Sequence, residues 1–182
     1  MPNVRLGVSM GNPNFSGDKL KALVAWVATN DKNLTVQLTD SLNHHNNGGD
    51  RAAARAMGDA WLGENAAALA TVSYSLVRWD DLLTHPDYPT AHAQVQQLYE
   101  QDGEFAAALN EAAIGFASRD KGRTTDQFIG YALEEAAGYA SVWRGEQHIK
   151  LYPAKQSPWW QLAKAHLAAP TPAEHWAFVR FK

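Results

Sequence analysis

Hydrophobic and polar positions along the chain switch between the strand period and the helix period. Residues 4–9, Val-Arg-Leu-Gly-Val-Ser, form a short run with β-branched positions that ends in a glycine-rich turn, and predict a first strand. Ser16 follows as a helix N-cap with Asp18 in the first turn. Leu20, Leu23, Val24 and Val27 then recur at the i, i+3, i+4, i+7 spacing of an amphipathic helix. Residues 33–40 read as a second strand, 41–50 as polar loop, alanine-rich 51–70 as a long helix and 71–79 as a third strand. A turn-rich connector, Asp-Asp-Leu-Leu-Thr-His-Pro-Asp-Tyr, leads to helical stretches near 90–101, 103–119 and 125–139. Residues 147–153 predict a fourth strand stopped by Pro153, 157–169 a helix with proline at its first position, and 175–181 a last strand. Strands separated by helices predict an α/β fold, a mostly parallel sheet of about five strands with helices on both faces. Ligands bind such sheets beyond the carboxyl ends of the strands, where Ser9, Asp40 and Tyr152 fall.

Composition narrows the chemistry. The 182 residues suit a single domain, 1–182, and the charged fraction of 19% is ordinary for a globular chain. There are no cysteines, which excludes disulfides, thiolate metal sites and cysteine nucleophiles, and fits a cytoplasmic protein. No apolar run approaches a membrane span, and the opening Met-Pro-Asn-Val-Arg lacks the build of a signal peptide. A net charge of −3 argues against a broad basic face for nucleic acid.

Gly7-Val-Ser-Met-Gly11 matches the G-x-S-x-G pattern of a hydrolase nucleophile elbow. That elbow turns directly into a helix, whereas Asn12-Pro13-Asn14-Phe15 intervenes here. The oxyanion loop that precedes it is not expected ahead of a serine with eight residues before it. Of His148, His166 and His175, none is marked as a triad partner. A plain glycine-rich turn that holds backbone near a ligand is the stronger reading of these residues alone.

Read with later segments, the opening points elsewhere. Gly-Val-Ser-Met-Gly-Asn-Pro-Asn-Phe-Ser before a helix resembles the first strand and loop of the cyclodipeptide synthases, which join aminoacyl groups from two charged tRNAs into a diketopiperazine. Three further stretches agree in order and spacing. They are the strand and Pro-x-Tyr connector in VRWDDLLTHPDYPTA, the acidic-Phe helix start in YEQDGEFAAAL, and the Tyr-x-x-x-Glu helix YALEEAAGY followed by the strand IKLYP. The resemblance runs over nearly the whole chain. It implies a Rossmann-like fold similar to the catalytic domain of class I aminoacyl-tRNA synthetases, and no cofactor or metal.

The resemblance also implies roles. Ser9 matches the nucleophile that carries the first aminoacyl group as an ester. Tyr131 and Glu135, four apart on one helix face, match the pair that holds the aminoacyl ammonium. Tyr152 matches a tyrosine at a strand end that orients the ester or shuttles a proton. Gly7, Gly11, Asn12 and Tyr139 fall among the substrate-binding positions, and Arg51 and Arg55 on the helix that contacts tRNA phosphates. Strand alternation puts Arg5 and Gly7 on the face of Ser9, and Lys150 on that of Tyr152. Two cations there suit an acidic aminoacyl side chain or another carboxylate, such as that of a small acceptor, or else they reach solvent or a neutralising acid. Glu134 reads as a solvated neighbour of Glu135, His44-His45 as surface, the seven tryptophans as packing or, for some, the lining of an acyl pocket, and Asp40 as a turn residue or a ribose contact.

The chain departs from the family pattern on the tRNA side. After Arg55 there is no lysine or arginine until Arg78, so the basic helix is depleted. Asn12 belongs with one family subgroup and Tyr152-Pro153 with the other. Two other functions therefore stand beside the main one. One is an acyltransferase that passes an aminoacyl group from tRNA to a small-molecule amine. The other is a hydrolytic or non-catalytic relative that binds a small molecule.

Overall fold

The computed structural model describes residues 3–30, 33–119, 122–142, 148–152, 157–167 and 175–178, with 3, 148–152, 164 and 175–178 described as backbone only. Five strands, β1 (Asn3–Val8), β2 (Leu34–Leu38), β3 (Tyr74–Arg78), β4 (His148–Tyr152) and β5 (His175–Phe178), form one sheet in the order β3-β2-β1-β4-β5. Every pairing is parallel, with Gly7 beside Gln37 and Arg5 between Thr35 and Lys150. This is a doubly wound order whose switch point lies between β1 and β4. Ser9 follows one of those strands and Tyr152 ends the other.

Seven helices cover the sheet among the described residues: α1 (Gly17–Thr29), α2 (Arg51–Leu69), α3 (Trp79–Leu83), α4 (Tyr88–Gln101), α5 (Gly103–Arg119), α6 (Thr125–Val142) and α7 (Pro158–Leu167). The sheet's first face is apolar. Val4, Leu6, Val8, Leu34, Val36 and Leu38 meet Leu20, Leu23, Val24 and Val27 of α1 and Trp61 and Leu69 of α2 in one buried cluster. The strand period of two and the helix period of 3.6 put those residues on facing surfaces. A second cluster unites α3 to α7 around Trp79, Phe105, Leu109 and Trp159-Trp160. The tryptophan expectation holds at positions 61, 79, 159 and 160, which are buried, while Trp26 is exposed.

Two expected loops carry structure. Residues 41–46 wind into a short 3-10 helix (Ser41–Asn46) whose Leu42 is buried. The connector after β3 begins with the one-turn helix α3, where Asp81 Oδ2 accepts from the Arg78 backbone N–H at 2.8 Å. In each case a polar sequence folds because tertiary partners take up its backbone and side-chain groups. Asp40 is one such partner. It is the turn residue ahead of the 3-10 helix, and its fully buried carboxylate receives Arg78 Nε at 2.7 Å, with Trp79 N–H at 3.3 Å. A Cβ at Gly58 would lie 2.6 Å from Asp40 Oδ2, so glycine there lets α2 approach this ion pair.

Candidate active site

The loop after β1 is tied down on both sides. Thr39 donates its N–H (3.0 Å) and Oγ (2.9 Å) to the carbonyl of Val8, pinning the strand end. Asn12 N–H closes a turn on the Ser9 carbonyl at 3.2 Å, and Asn12 Oδ1 accepts from Asn14 N–H at 3.0 Å to start a 3-10 helix (Pro13–Phe15). Gly11 supplies the positive φ of 75° that this turn requires. Phe15 is buried, and its carbonyl accepts from Trp61 Nε1 at 2.8 Å. Ser9 is left half-buried at the carboxyl end of a central strand, and Asn12 has its side-chain oxygen committed to the turn.

The helix α6 supplies the opposite wall. A Cβ at Gly7 would stand 2.9 Å from the Tyr139 hydroxyl, so α6 lays Tyr139 directly on β1 where that strand has no side chain. Tyr131, Glu135 and Tyr139 recur every four residues and share a helix face. Because α6 feeds β4, which is parallel to β1, it runs antiparallel to the strands. Glu135 lies one turn back from Tyr139, about 6 Å. Ser9 lies two residues beyond Gly7, about 6.6 Å in the same direction. The helix face and the serine therefore rise together at the sheet's carboxyl edge, with Tyr131 and Glu135 both half-buried.

The adjacent face of α6 carries a network that the sequence reading missed. Glu134 is not solvated; it is 8% exposed and is the hub of four side chains. Its Oε2 receives His44 Nε2 at 3.2 Å and His45 Nε2 at 3.0 Å, and its Oε1 receives Trp79 Nε1 at 2.9 Å. Arg51 Nη2 reaches both oxygens, at 3.1 and 2.9 Å. Burial alone would raise this carboxyl, but donation from His45, Arg51, Trp79 and His44 outweighs it and brings the pKa to about 2. Burial lowers His44 from its usual range, and burial with the nearby Glu134 charge pushes the Tyr88 phenol up to about 12. His44 and His45 are accordingly half-buried ion-network residues, with rings 3.9 Å apart, rather than surface. A signal for this lay in the stripe around Glu134: Gly130, Ala137, Gly138 and Ser141 are all small, the mark of a helix face that packs close.

The His44, His45 and Glu134 ligand atoms lie within 4.8 Å of one another. The guanidinium on the same carboxylate already answers its charge, so the cluster reads as an ion-pair hub. Of the two expected tRNA contacts, Arg51 pairs with Glu134 and Arg55 pairs with Asp80 at 2.5 Å. Arg5 is 7% exposed, and its Nη1 donates to Gln37 Oε1 at 2.6 Å. Lys150 and Tyr152 hold their expected strand positions, but their side chains lie outside the described residues.

A strand-end serine facing a Tyr-x-x-x-Glu helix across a doubly wound sheet is the arrangement the motifs imply, and the cyclodipeptide synthase family profile matches residues 3–140. The chain belongs to the cyclodipeptide synthase family. Members are aminoacyl-tRNA-dependent transferases that form cyclodipeptides, so the chain is an enzyme of that class. Solved structures agree on the fold. A cyclodipeptide synthase from Fluoribacter dumoffii is 21% identical at a TM-score of 0.81, covering 90% of this chain and 81% of its own. One from Candidatus Glomeribacter gigasporarum, solved bound to Phe-tRNAPhe, is 20% identical at 0.73, covering 99% and 87%. A Mycobacterium tuberculosis synthase, described as related to type I tRNA synthetases, is 17% identical at 0.59, covering 97% and 81%. None of the curated protein sequences matches the chain. No helix among the described residues is long and apolar enough to cross a membrane.

Proposed function

We propose that the enzyme works through an aminoacyl ester on Ser9. The Ser9 Oγ attacks the ester carbonyl of a charged tRNA. The tRNA hydroxyl leaves with the serine's proton, and one ester replaces another without an energy source. Tyr131 and Glu135 hold the aminoacyl ammonium, a charge-assisted contact that positions the carbonyl over Ser9. Gly7, Gly11, Asn12 and Tyr139 shape the pocket, and Tyr152 at the neighbouring strand end orients the ester. The amine of a second aminoacyl group, still on its tRNA, then attacks the Ser9 ester, forming an amide and returning the serine hydroxyl with the amine's proton. The first residue's amine closes the second amide on the remaining ester, expelling the second tRNA's hydroxyl and forming the ring. The observation that supports this most directly is the contact of Tyr139 with Gly7, which aligns the Tyr131–Glu135 face with the serine. Incubation with charged tRNAs, read by mass spectrometry, tests it: a cyclodipeptide is expected. Free amino acid alone would mean hydrolysis, and no product would mean binding only.

The partner is an aminoacyl-tRNA, as in the Glomeribacter relative, and a substrate of that kind supports a cytoplasmic enzyme. Arg51 and Arg55 are its candidate phosphate contacts, yet each first has an acid of its own chain to leave. That observation favours a second reading, in which one tRNA is used and the acceptor is a small-molecule amine, giving an open-chain amide. Few free cations on α2 also predict weak salt dependence of tRNA binding, because the slope scales with phosphates neutralised. Double-logarithmic titration of affinity against salt should give a slope of about −2, from a coefficient near 0.7 to 0.9 per phosphate. A steep slope that survives Arg51→Ala with Arg55→Ala would move the tRNA to another face.

A further inference from the structure

The two faces of the sheet differ in kind. Both faces of a parallel sheet are covered by helices, and its strands usually read as apolar on both sides. Here the face on α1 and α2 is apolar, whereas the face on α6 carries Arg5, Gly7, Thr35, Gln37 and Thr39. Three of these polar residues are deeply buried, Arg5 at 7% exposure, Gln37 at 0% and Thr39 at 2%, and Thr39 spends its hydroxyl on the Val8 carbonyl. Burying such groups is costly unless something answers their hydrogen-bonding capacity.

Their contact has a direction. Arg5 pairs in register with Thr35, but its Nη1 reaches Gln37, which lies beside Gly7, two residues nearer the serine. The guanidinium and the amide thus meet across the strand position where Gly7 has no side chain. Accepting from Arg5 fixes the orientation of the Gln37 amide: Oε1 is consumed and Nε2 is left as a donor. That Nε2 is buried and has no hydrogen-bond partner among the described residues. Gln37 stands about 6.6 Å along the sheet from the level of Ser9, two residues of strand rise. That is the reach of a short acidic side chain on an ester at Ser9.

We infer that Gln37, presented by Arg5, is a specificity-determining residue that selects an acidic first aminoacyl group, aspartyl or glutamyl. This rests on the Ser9 ester reading. An amide hydrogen and a guanidinium offer only donors, and a carboxylate is the acceptor that takes most from both. A carboxamide side chain satisfies the same donors with one oxygen and brings a donor of its own against them. An apolar side chain leaves Nε2 buried and unsatisfied, and sites of this kind reject substrates that lack the matching polar group.

Binding of L-aspartate and L-glutamate α-methyl esters against L-leucine methyl ester, titrated calorimetrically into the Ser9→Ala protein, reads the pocket without the chemistry. The acidic esters should bind at least tenfold tighter than the leucine ester. Gln37→Glu in the same background should remove that preference while keeping the fold, because its carboxylate still accepts from Arg5 but offers no donor. Leucine ester binding as tightly, binding by neither class, or an acid preference that survives Gln37→Glu would each overturn the assignment. Acylation of the unmodified enzyme by a panel of charged tRNAs separates the two levels. Acid-selective ester binding without acylation by any tRNA overturns the Ser9 reading and leaves the pocket standing. Acylation by leucyl- or phenylalanyl-tRNA in preference to the acidic ones overturns the pocket and leaves Ser9 standing.

Discussion

Ser9→Ala is expected to abolish the covalent aminoacyl-enzyme and to lower turnover on the order of a thousandfold or more, as removal of a nucleophile does. The unmodified protein should gain the mass of one aminoacyl group on mixing with its charged tRNA, and the variant should not. Ser9 is half-buried, and the contacts that hold its loop use its carbonyl, not its hydroxyl. The substitution should therefore leave the melting temperature within a degree or two, so that lost activity reports lost chemistry. Glu135→Gln offers a graded comparison: it removes the charge opposite the ammonium but not the nucleophile, so labelling should slow without disappearing. Labelling that persists in Ser9→Ala would place the ester on another residue.

Glu134→Ala is expected to destabilise the fold by about 3–5 kcal/mol, the usual cost of removing one partner of a buried ion pair. The substitution leaves Arg51, Trp79 Nε1 and two imidazoles facing an empty site. For a chain of this size the melting temperature should fall by roughly 10 °C. Acid provides an independent check. The Glu134 carboxyl has an ordinary pKa of 4.5 and a folded pKa of about 2, so its folded value is depressed. Its stabilisation is complete above pH 4.5 and is lost as pH falls from there towards 2, a change of roughly 3 kcal/mol. Urea unfolding between pH 6 and pH 2 should show this decline in the unmodified protein and a flatter one in Glu134→Gln. An unchanged melting temperature in Glu134→Ala would mean that the network contributes nothing net. Activity lost well beyond the fraction unfolded would mean that Glu134 also sets the rotation of α6, and with it the aim of Glu135.

Sequence patterning carried the layout of the molecule. Short apolar and β-branched runs mark β1 to β5, and 3.6-period runs mark α1 and α4 to α7, because a strand or an amphipathic helix is specified by residues that are neighbours in sequence. The turn after Ser9 and the shared helix face of Tyr131 and Glu135 were legible for a related reason: local turn chemistry and i, i+4 spacing act within a few residues of chain. What tertiary structure alone decided is the fate of the polar residues. Glu134 and Glu135 are identical neighbours, and successive helix residues point about 100° apart. Which of the two goes to Arg51 and the histidines and which lies on the Tyr131–Tyr139 face depends on how α6 rolls against Trp79 and Gly7, a contact between distant segments. Arg51 and Arg55 likewise read as free cations until the fold brought Glu134 and Asp80 to them. Arg5 and Gln37 lie 32 residues apart, so neither strand alone reveals the other's side chain. A charge's partner is set by long-range packing, whereas a strand or helix is set by its neighbours in sequence.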